Sequence, residues 1–434
     1  LVISTNTNIL QMPDGVGFYV WTGNIWVKLL TKENTSNTTG WTTTGNAGTT
    51  ATTNSLGTTN NAPLTFKINN GLAGKLDTDG SVSYGRGTLY NNVANRISVA
   101  IGDSALYNNA KTVGVSYTAT ENTAVGYRAM YANTEGYYNT AVGYRSLSAN
   151  TVGYYNTAFG DRSLQSNTSG TRNTAVGYIS LSTNSTGFNN TAVGIGTLNS
   201  NSTGSGNTAI GTETLIDNTT GTNNVAVGAG SLADNTTGRA NIAVGTGALG
   251  LNTNGRSELV AIGDSALYNN AKTVGVSYTA TENTAVGYRA MFANIDGYYN
   301  TAVGYRSLSA NTAGYYNTAL GDRSLQGNTT GTRNTAVGYI SLSVNSTGFN
   351  NTAVGIGTLF SNSTGFNNTA VGTETLIDNT TGANNVGVGA GALSNNNSGG
   401  ANVAIGVGAA ANSTTRSNLV AIGDSALYNN GTGG

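Results

Sequence analysis

Tyrosine is the residue type whose spacing in this chain most clearly indicates a binding surface. The chain has 23 Tyr, and many of them recur at a fixed interval, either directly after a glycine or as adjacent pairs. Aromatic side chains supply a large contact area at low entropic cost, so aligned rows can bind a glycan or a host protein. The competing interpretation, which we prefer, is that the rings cover turns and stack on one another. The candidate residues are Tyr127, Tyr137, Tyr138, Tyr144, Tyr154, Tyr155, Tyr298, Tyr299, Tyr315 and Tyr316.

Residue types that catalyse reactions are scarce. The chain has no His and no Cys, which excludes disulfides, His- or Cys-ligated metals and Ser-His or Cys-His nucleophile pairs. The Asp161-Arg162 and Asp322-Arg323 dipeptides indicate local charge pairs, and we expect the repeated acids Glu213 and Glu374 to be solvated. No pair of carboxylates suited to hydrolysis is evident. The sequence therefore predicts no catalytic residue, no metal, no cofactor and no enzymatic activity.

The charge balance narrows the range of partners. Lys and Arg total 19, Asp and Glu total 19, and the net charge is zero. This balance lacks the basic excess typical of nucleic-acid binding, and no apolar run approaches the length of about 18 residues that spans a membrane. We expect neither nucleic-acid binding nor direct membrane insertion by this segment. Because the sequence opens with Leu1, we expect it to be a fragment of a longer or processed protein.

A 17-residue repeat organises most of the chain. Asn139-Thr140-Ala141-Val142-Gly143 returns 17 residues later as Asn156-Thr157-Ala158-Phe159-Gly160 and continues at that step. With 62 Gly, 62 Asn and 68 Thr, the repeat combines a short alternating strand with turn residues. Stacking the nineteen anchors at the interstrand spacing gives a rod of roughly 90 Å. The predicted fold class is all-β, a parallel β-roll or β-solenoid of about 17-residue coils.

The alternation also predicts which side chains face inward. In several coils Val or Ile replaces the Thr, as at Val225 and Ile242, so we expect that position and the Val two residues later to be buried. The exchange of Phe159 for Leu320 between equivalent coils favours the same conclusion. The Ala between them would face outward, against a neighbouring chain. Leu147 and its equivalents supply a further apolar contact in each coil.

The 17-residue coils belong to a larger duplicated block. Residues 101–107 return at 262–268, and most of the intervening sequence is copied. Once in each block the step lengthens to 24, between Gly102 and Gly126 and between Gly263 and Gly287. We interpret each long step as two short coils of 12 residues. The alternative is one coil with a seven-residue surface loop.

Four copies of a Val-Ala-Ile-Gly motif resemble a known family. The copies at 99–102, 260–263, 403–406 and 420–423 are similar to the YadA-like head repeat of trimeric autotransporter adhesins, over about residues 97–430. The resemblance implies a left-handed parallel β-roll and an intertwined or side-by-side homotrimer. The consensus coil, N-T-A-V-G-Y-x-S-L-x-x-N-T-T-G, also resembles repeats in fibre-like surface proteins of Bacteroidetes and in phage tail fibres. The adhesin head repeats about every 14 residues, so a 17-residue period implies a longer external turn.

The energetics also favour association. Burying a Val and a Leu in each coil contributes about 3–5 kcal/mol. Ordering 17 residues costs on the order of 17–34 kcal/mol of backbone entropy, which ladder hydrogen bonds offset only in part. A single thin chain is therefore marginal, and we expect sister chains to pack beside it.

The predicted organisation has four parts. Residues 1–32 form a small β module with a hairpin over Phe18–Trp21 and Ile25–Leu30, residues 33–96 a Thr/Asn/Gly-rich β connector, 97–258 the first solenoid block and 259–434 the second. Trp21 and Trp26 lie in the hairpin and Trp41 follows it. Carbohydrate binding by the Trp pair is one interpretation, and packing within the module is the one we prefer.

These observations predict a non-enzymatic structural or adhesive fibre, a homotrimeric stalk or head that attaches to a host or surface. Its location would be extracellular, on a bacterial cell or a virion, and its partners would be itself and a host glycan or surface protein. Alternatives are a phage tail fibre of the same architecture, a monomeric ice-binding solenoid and a fibre with a polysaccharide-degrading site. An inward Thr argues against ice binding, and no acid cluster supports degradation.

Overall fold

A computed structural model describes the backbone of three short N-terminal strands and most of the repeat region. The described residues are 2–4, 17–21, 26–29, 56–92, 97–110, 119–252, 255–270 and 280–430, with side chains described from residue 56 onward. The chain divides into two compact units, Leu1–Ala62 and Pro63–Gly434.

The first unit contains an antiparallel three-stranded sheet. Its strands are β1 (Val2–Ser4), β2 (Gly17–Trp21) and β3 (Trp26–Leu29), with β2 in the centre. Trp21 and Trp26 are partners in the register of β2 and β3, as a hairpin requires. The connecting Thr22-Gly23-Asn24, Trp41 and the two tryptophan side chains of the hairpin lie outside the described residues.

The second unit begins with an antiparallel hairpin that leads into a parallel solenoid. Strands β4 (Leu64–Ile68) and β5 (Gly71–Leu76) pair antiparallel, β5 pairs antiparallel with β6 (Val82–Tyr84), and β6 pairs in parallel with β7 (Ser98–Ile101). Parallel stacking therefore already includes Val82–Tyr84, ahead of residue 97. Every strand beyond β7 pairs in parallel with the next one along the chain.

The remaining strands are short and regularly spaced. They are β8 (Asn122–Val125), β9 (Thr140–Val142), β10 (Thr157–Phe159), β11 (Thr174–Val176), β12 (Thr191–Val193), β13 (Thr208–Ile210), β14 (Val225–Val227), β15 (Ile242–Val244), β16 (Val260–Ile262), β17 (Thr284–Val286), β18 (Thr301–Val303), β19 (Thr318–Leu320), β20 (Thr335–Val337), β21 (Thr352–Val354), β22 (Thr369–Val371), β23 (Val386–Val388), β24 (Val403–Ile405) and β25 (Val420–Ile422). The described residues contain no helix. The predicted all-β parallel solenoid with coils of about 17 residues is confirmed.

Equivalent residues of successive coils lie directly above one another. Ala158 pairs with Ala141 on one side and Ala175 on the other, and the same register continues along the solenoid. We number the coil from Asn139, position 1, to Tyr155, position 17. Each position then forms a column parallel to the axis, so that one residue type repeats at about 4.8 Å.

The interior contains Ala, Leu and Asn rather than Val. Ala141 and Leu147, at positions 3 and 9, are fully buried, and so are the asparagines at positions 1 and 12. The prediction that Thr and the following Val point inward is wrong. Phe159 is 56% exposed and Leu320 is 37% exposed, so the residue before the glycine lies on the outer face. The alternation was assigned correctly, but its phase is reversed because the narrow interior takes the small Ala side chain between two columns of Asn.

Buried asparagines satisfy the backbone where each coil turns. Asn150 donates its side-chain amide to Oδ1 of Asn133 at 2.8 Å and to the carbonyl of Gly153 at 3.0 Å. Position 1 forms a second column of the same kind. A buried carbonyl without a partner is costly, so these two columns hold the turns in place.

Each 24-residue step is one coil, and the interpretation as two short coils is wrong. Strand β7 pairs directly with β8, and β16 with β17, with no strand between them. The position-12 column also continues across the step, since Asn133 donates to Oδ1 of Asn109 at 2.8 Å. The additional residues, 111–118 and 271–279, lie outside the described part of the chain.

Candidate functional site

Four of the predicted tyrosines form one aromatic cluster on the turn that closes two successive coils. Tyr137 stacks on Tyr154 with ring centroids 4.9 Å apart, and Tyr138 stacks on Tyr155 at 5.1 Å. The two columns meet edge to face, with 5.5 Å between the rings of Tyr137 and Tyr138. Tyr138 and Tyr155 have φ of +54° and +56°, so the turn itself directs them outward. We call these four residues tyrosine cluster 1.

The duplicated block repeats this arrangement. Tyr298 stacks on Tyr315 at 4.9 Å, and Tyr299 stacks on Tyr316 at 5.1 Å. The edge-to-face distance between Tyr298 and Tyr299 is again 5.5 Å. We call these four residues tyrosine cluster 2. The outer rings, Tyr299 and Tyr316, are 43% and 49% exposed.

An acid and a guanidinium lie at opposite ends of each cluster. The negative charge of Glu121, followed by burial, raises the pKa of Tyr138 above its ordinary value. At the other end, the guanidinium of Arg172 lies 5.6 Å from the ring centroid of Tyr154. In cluster 2, a side-chain hydrogen bond with Glu282 is the main cause that raises the pKa of Tyr299. The corresponding guanidinium is that of Arg333, 5.7 Å from the ring of Tyr315.

This geometry limits what the clusters can bind. Each ring has one face covered by its stacked neighbour, and a guanidinium lies over Tyr154 and over Tyr315, so the clusters offer less free ring face to a stacked sugar than isolated rings would. The accessible surface then consists largely of ring edges and phenolic hydroxyls. This combination suits polar contact with a surface, and the stacking itself stabilises the turns.

Tyr127 and Tyr144 lie in a different column. They follow the glycine of their coils, at position 6, and stack on each other at 5.4 Å with 12° between the ring planes. Both are 40% exposed. The adjacent Arg128 and Arg145 each place a guanidinium 5.5 Å from the neighbouring ring. The predicted tyrosines therefore divide into two kinds of surface, which match their two sequence contexts, directly after a glycine and as adjacent pairs.

The acidic residues show one arrangement that the sequence analysis missed. Glu213 and Glu374 are exposed, and Asp161 Oδ1 lies 3.8 Å from Nε of Arg162. Asp217 and Asp234, however, occupy position 11 of successive coils. Burial and the charge of Asp217 raise the pKa of Asp234. The sequence spacing could have predicted this proximity, because the two residues are 17 apart, which is the length of one coil.

The described residues contain no cluster of three or more acidic side chains arranged to hold a metal ion. Within the same ranges, no helix is long and apolar enough to cross a membrane.

Comparison with known proteins adds no relative. No protein-family model matches the chain, no curated protein matches it, and no solved structure matches it. The resemblance to the YadA-like head repeat accordingly rests on the Val-Ala-Ile-Gly motif and on the coil architecture.

Proposed function

We propose that this chain is a non-enzymatic segment of a homotrimeric fibre that mediates attachment at the surface of a bacterial cell or a virion. The observation that supports this most strongly is the outer face of the solenoid sheet. We call it the strand face and define it as positions 2 and 4 of strands β6 to β25. Its residues are only Thr, Val, Ile, Leu, Phe and Tyr, with no charge and no amide in any coil.

The strand face is uncharged and accessible over its whole length, with Thr at position 2 of twelve of the twenty strands and an apolar or aromatic residue at position 4 of every one. Ile101, Val303 and Ile405 are 41%, 38% and 41% exposed, although they lie in the first, middle and last parts of the solenoid. Stacked at the interstrand spacing, the twenty strands from β6 to β25 give a stripe about 90 Å long. Contiguous apolar surfaces of that size on soluble proteins mark interaction sites.

The occupant of this face that we propose is further copies of the same chain. A partner for this face must present an uncharged surface that repeats with the same spacing as the coils. A second copy of the chain, aligned in parallel, meets both conditions in every coil. Charged residues are instead placed at the turns, where a side-by-side assembly leaves them in water. The number of three chains comes from the resemblance to the adhesin head repeat.

The remaining parts of the proposal follow from this architecture. Two buried Asn columns and a one-coil register make each chain a stiff unit, as a spacer or head requires. A host glycan or surface protein is the proposed ligand, and the location is extracellular. A phage tail fibre of the same construction remains the alternative for its origin.

Light scattering coupled to size exclusion tests the assembly. We expect a mass three times the 44.0 kDa of one chain. Val303→Asp and Val371→Asp each introduce a charge on the strand face at a residue that is 38% exposed, and we expect both to shift the mass toward the monomer. Val152→Asp and Val344→Asp are matched controls on other faces, 41% and 47% exposed, and should remain trimeric. A folded wild-type monomer, or strand-face variants with unchanged mass, would contradict the proposal.

A second candidate gains support from the reversed phase of the strand. The sequence argument against ice binding was an inward Thr, but Thr174, Thr191 and Thr208 lie on the outer face in consecutive coils. They form a regular array with the valines, about 7 Å along the strand and about 4.8 Å between strands. A monomer that lowers the freezing point below the melting point would favour this function. A trimer without such hysteresis would exclude it.

A further inference from the structure

The feature that neither the fold nor the proposed assembly uses is a row of arginines at position 7. Arg128, Arg145 and Arg162 occupy this position in three successive coils, and we call them arginine ladder 1. The equivalent row in the second block is arginine ladder 2, consisting of Arg289, Arg306 and Arg323. We propose that each ladder binds a linear anionic polysaccharide, with one carboxylate or sulfate group on each guanidinium.

The fold does not require these arginines. Position 7 has φ near +50°, and other coils fill it with Ile179, Gly196 or Glu213. Stacking like charges one strand apart is destabilising. A row of three arginines in which one guanidinium is paired with a carboxylate therefore favours a ligand that supplies further negative charge.

Little of that charge comes from the protein. Among the described residues, only Arg162 of ladder 1 pairs with a carboxylate, Asp161, at 3.8 Å. The nearby Asp103 is bound to Arg86 at 3.3 Å. Arg128 and Arg145 instead lie against aromatic rings. In ladder 2, Arg323 is paired to Asp322 at 3.8 Å. Asp264, the equivalent of Asp103, accepts a hydrogen bond from Ser265 rather than pairing with an arginine of the described ranges.

Aromatic contacts hold the guanidiniums in place. Arg128 lies 5.5 Å from the ring of Tyr127 and 4.9 Å from that of Tyr131. In ladder 2, Arg289 lies 5.4 Å from Tyr288 and 4.9 Å from Phe292. A guanidinium that is already oriented loses less entropy when it binds an anion, and its planar fork suits carboxylate and sulfate groups.

The surroundings favour a sugar chain over other polyanions. A shallow depression beside ladder 1 is lined by Arg128, Tyr131, Arg145, Ser148 and Gln165, together with Ala149, and so offers hydroxyl and amide groups next to the charges. The ladder rises by about 4.8 Å per charge, close to the length of one pyranose ring. The charge lies in a single narrow row, unlike the broad basic surface typical of nucleic-acid binding.

The duplication makes binding bivalent. Nine coils separate equivalent residues of the two ladders, which is about 43 Å along this unit. A polymer long enough to reach both ladders would bind more tightly than a short oligomer, because the second contact is intramolecular. This proposal names the ligand class for the attachment role above. It rests on the proposed attachment function only for its biological meaning, because the two experiments are independent. The titration with polysaccharides can fail while light scattering still shows a trimer, and the reverse is also possible.

Calorimetric titration with polygalacturonate, dextran sulfate and neutral dextran tests the inference. We expect both anionic polymers to bind, more weakly as salt rises, and neutral dextran not to bind. One variant replaces all three arginines of one ladder with Gly, which Gly196 already supplies at this position. We expect it to bind the long polymers at least about tenfold more weakly. Short oligomers should still bind to the other ladder. Replacing both ladders should abolish binding.

Two controls separate charge recognition from structural damage. Arg239→Gly removes the same charge from an exposed residue outside the ladders and the tyrosine clusters, and should bind like wild type. Arg145→Lys keeps the charge and should retain most of the affinity, whereas Arg145→Gly should not. Unchanged binding after loss of both ladders, equal binding of neutral dextran, or tighter binding of single-stranded DNA than of either polysaccharide would overturn the proposal. If the triple variants do not fold, the Arg145 pair decides it.

Discussion

Asn207 donates both its backbone N–H and its side-chain amide to the single Oδ1 of Asn190, at 3.0 and 3.2 Å. Asn190 in turn donates its own amide to the carbonyl of Gly204 at 2.8 Å. Each buried asparagine thus connects the preceding coil, the closing turn of its own coil and the following coil. This linkage, repeated along the axis, stabilises an interior that holds few large apolar side chains.

Removing one member of this column should be costly. Asn190→Ala leaves the buried backbone N–H of Asn207 without a partner and removes one of the two amides that donate to the carbonyl of Gly204, the other being that of Asn201. We expect a loss of about 2–3 kcal/mol in the free energy of unfolding. Asn395→Ala is the matched control, because Asn395 makes an exposed side-chain hydrogen bond to the next coil and its φ is not positive. Its loss should stay within about 0.5 kcal/mol. Chemical denaturation of both variants measures the difference, and equal losses would contradict the role of the buried column.

Two glycines of one coil provide a second comparison. Gly228 has φ +125°, and a Cβ there would lie 2.7 Å from the carbonyl oxygen of Gly245 in the next coil. Gly230 has φ +63°, and a Cβ there would meet nothing within 4 Å. We expect Gly228→Ala to prevent close stacking of the two coils and to lower the free energy of unfolding by several kcal/mol. For Gly230→Ala the expected loss is about 1 kcal/mol. Thermal unfolding of the two variants under the same conditions tests this ranking.

The sequence predicted the coil well and its interior poorly. The 17-residue period locates every strand from β9 to β15 because the spacing of Gly and Asn is unmistakable. Alternation alone cannot state which face is buried, and hydrophobicity favoured Val142 over Ala141. The deciding factor was Asn139, which shares a face with Ala141 and makes hydrogen bonds with the preceding coil and with the closing turn of its own coil.

The candidate site was predicted as a set of residues but not as a geometry. The pairs Tyr137-Tyr138 and Tyr154-Tyr155 are visible in the sequence, and their stacking follows from the period. The position of Glu121 beside Tyr138 was not recognised, because it required the long step to be one coil rather than two. The 17-residue spacing of Asp217 and Asp234 could have been found by the same column argument that found the tyrosines.

The buried leucine column predicts an unusual substitution pattern. Leu198 is fully buried with φ +51°, and Met130 holds the same position with φ +48°. A β-branched residue is strained at positive φ, whereas Met is unbranched and similar in volume to Leu. We therefore expect Leu198→Met to cost less than about 1.5 kcal/mol in the free energy of unfolding. Leu198→Val should cost about 3 kcal/mol, from the small cavity and the backbone strain together. Denaturant titration of both variants decides the order, and equal costs would show that the positive φ relaxes.

The Asp217 and Asp234 pair predicts a pH-dependent stability. Because burial and the charge of Asp217 raise the pKa of Asp234, the folded state binds its proton more tightly than the unfolded state. Stability should then decrease as the pH rises from below the ordinary value of 3.8 through the raised pKa, and level off above it. Asp234→Asn removes this dependence and should raise the free energy of unfolding by about 0.5 kcal/mol at neutral pH. We expect no gain at pH values where both carboxyls are protonated. Asn395 already holds this position in another coil, so the amide is sterically acceptable.

Asp378→Asn is the matched control for that variant. Asp378 occupies the equivalent position in the second block, where the adjacent coils carry Ser361 and Asn395 instead of a carboxylate. Its replacement should leave the pH dependence of the unfolding midpoint unchanged. If Asp234→Asn lowers stability at neutral pH, or if both variants shift the pH profile equally, like-charge repulsion between successive coils is not what destabilises this part of the solenoid.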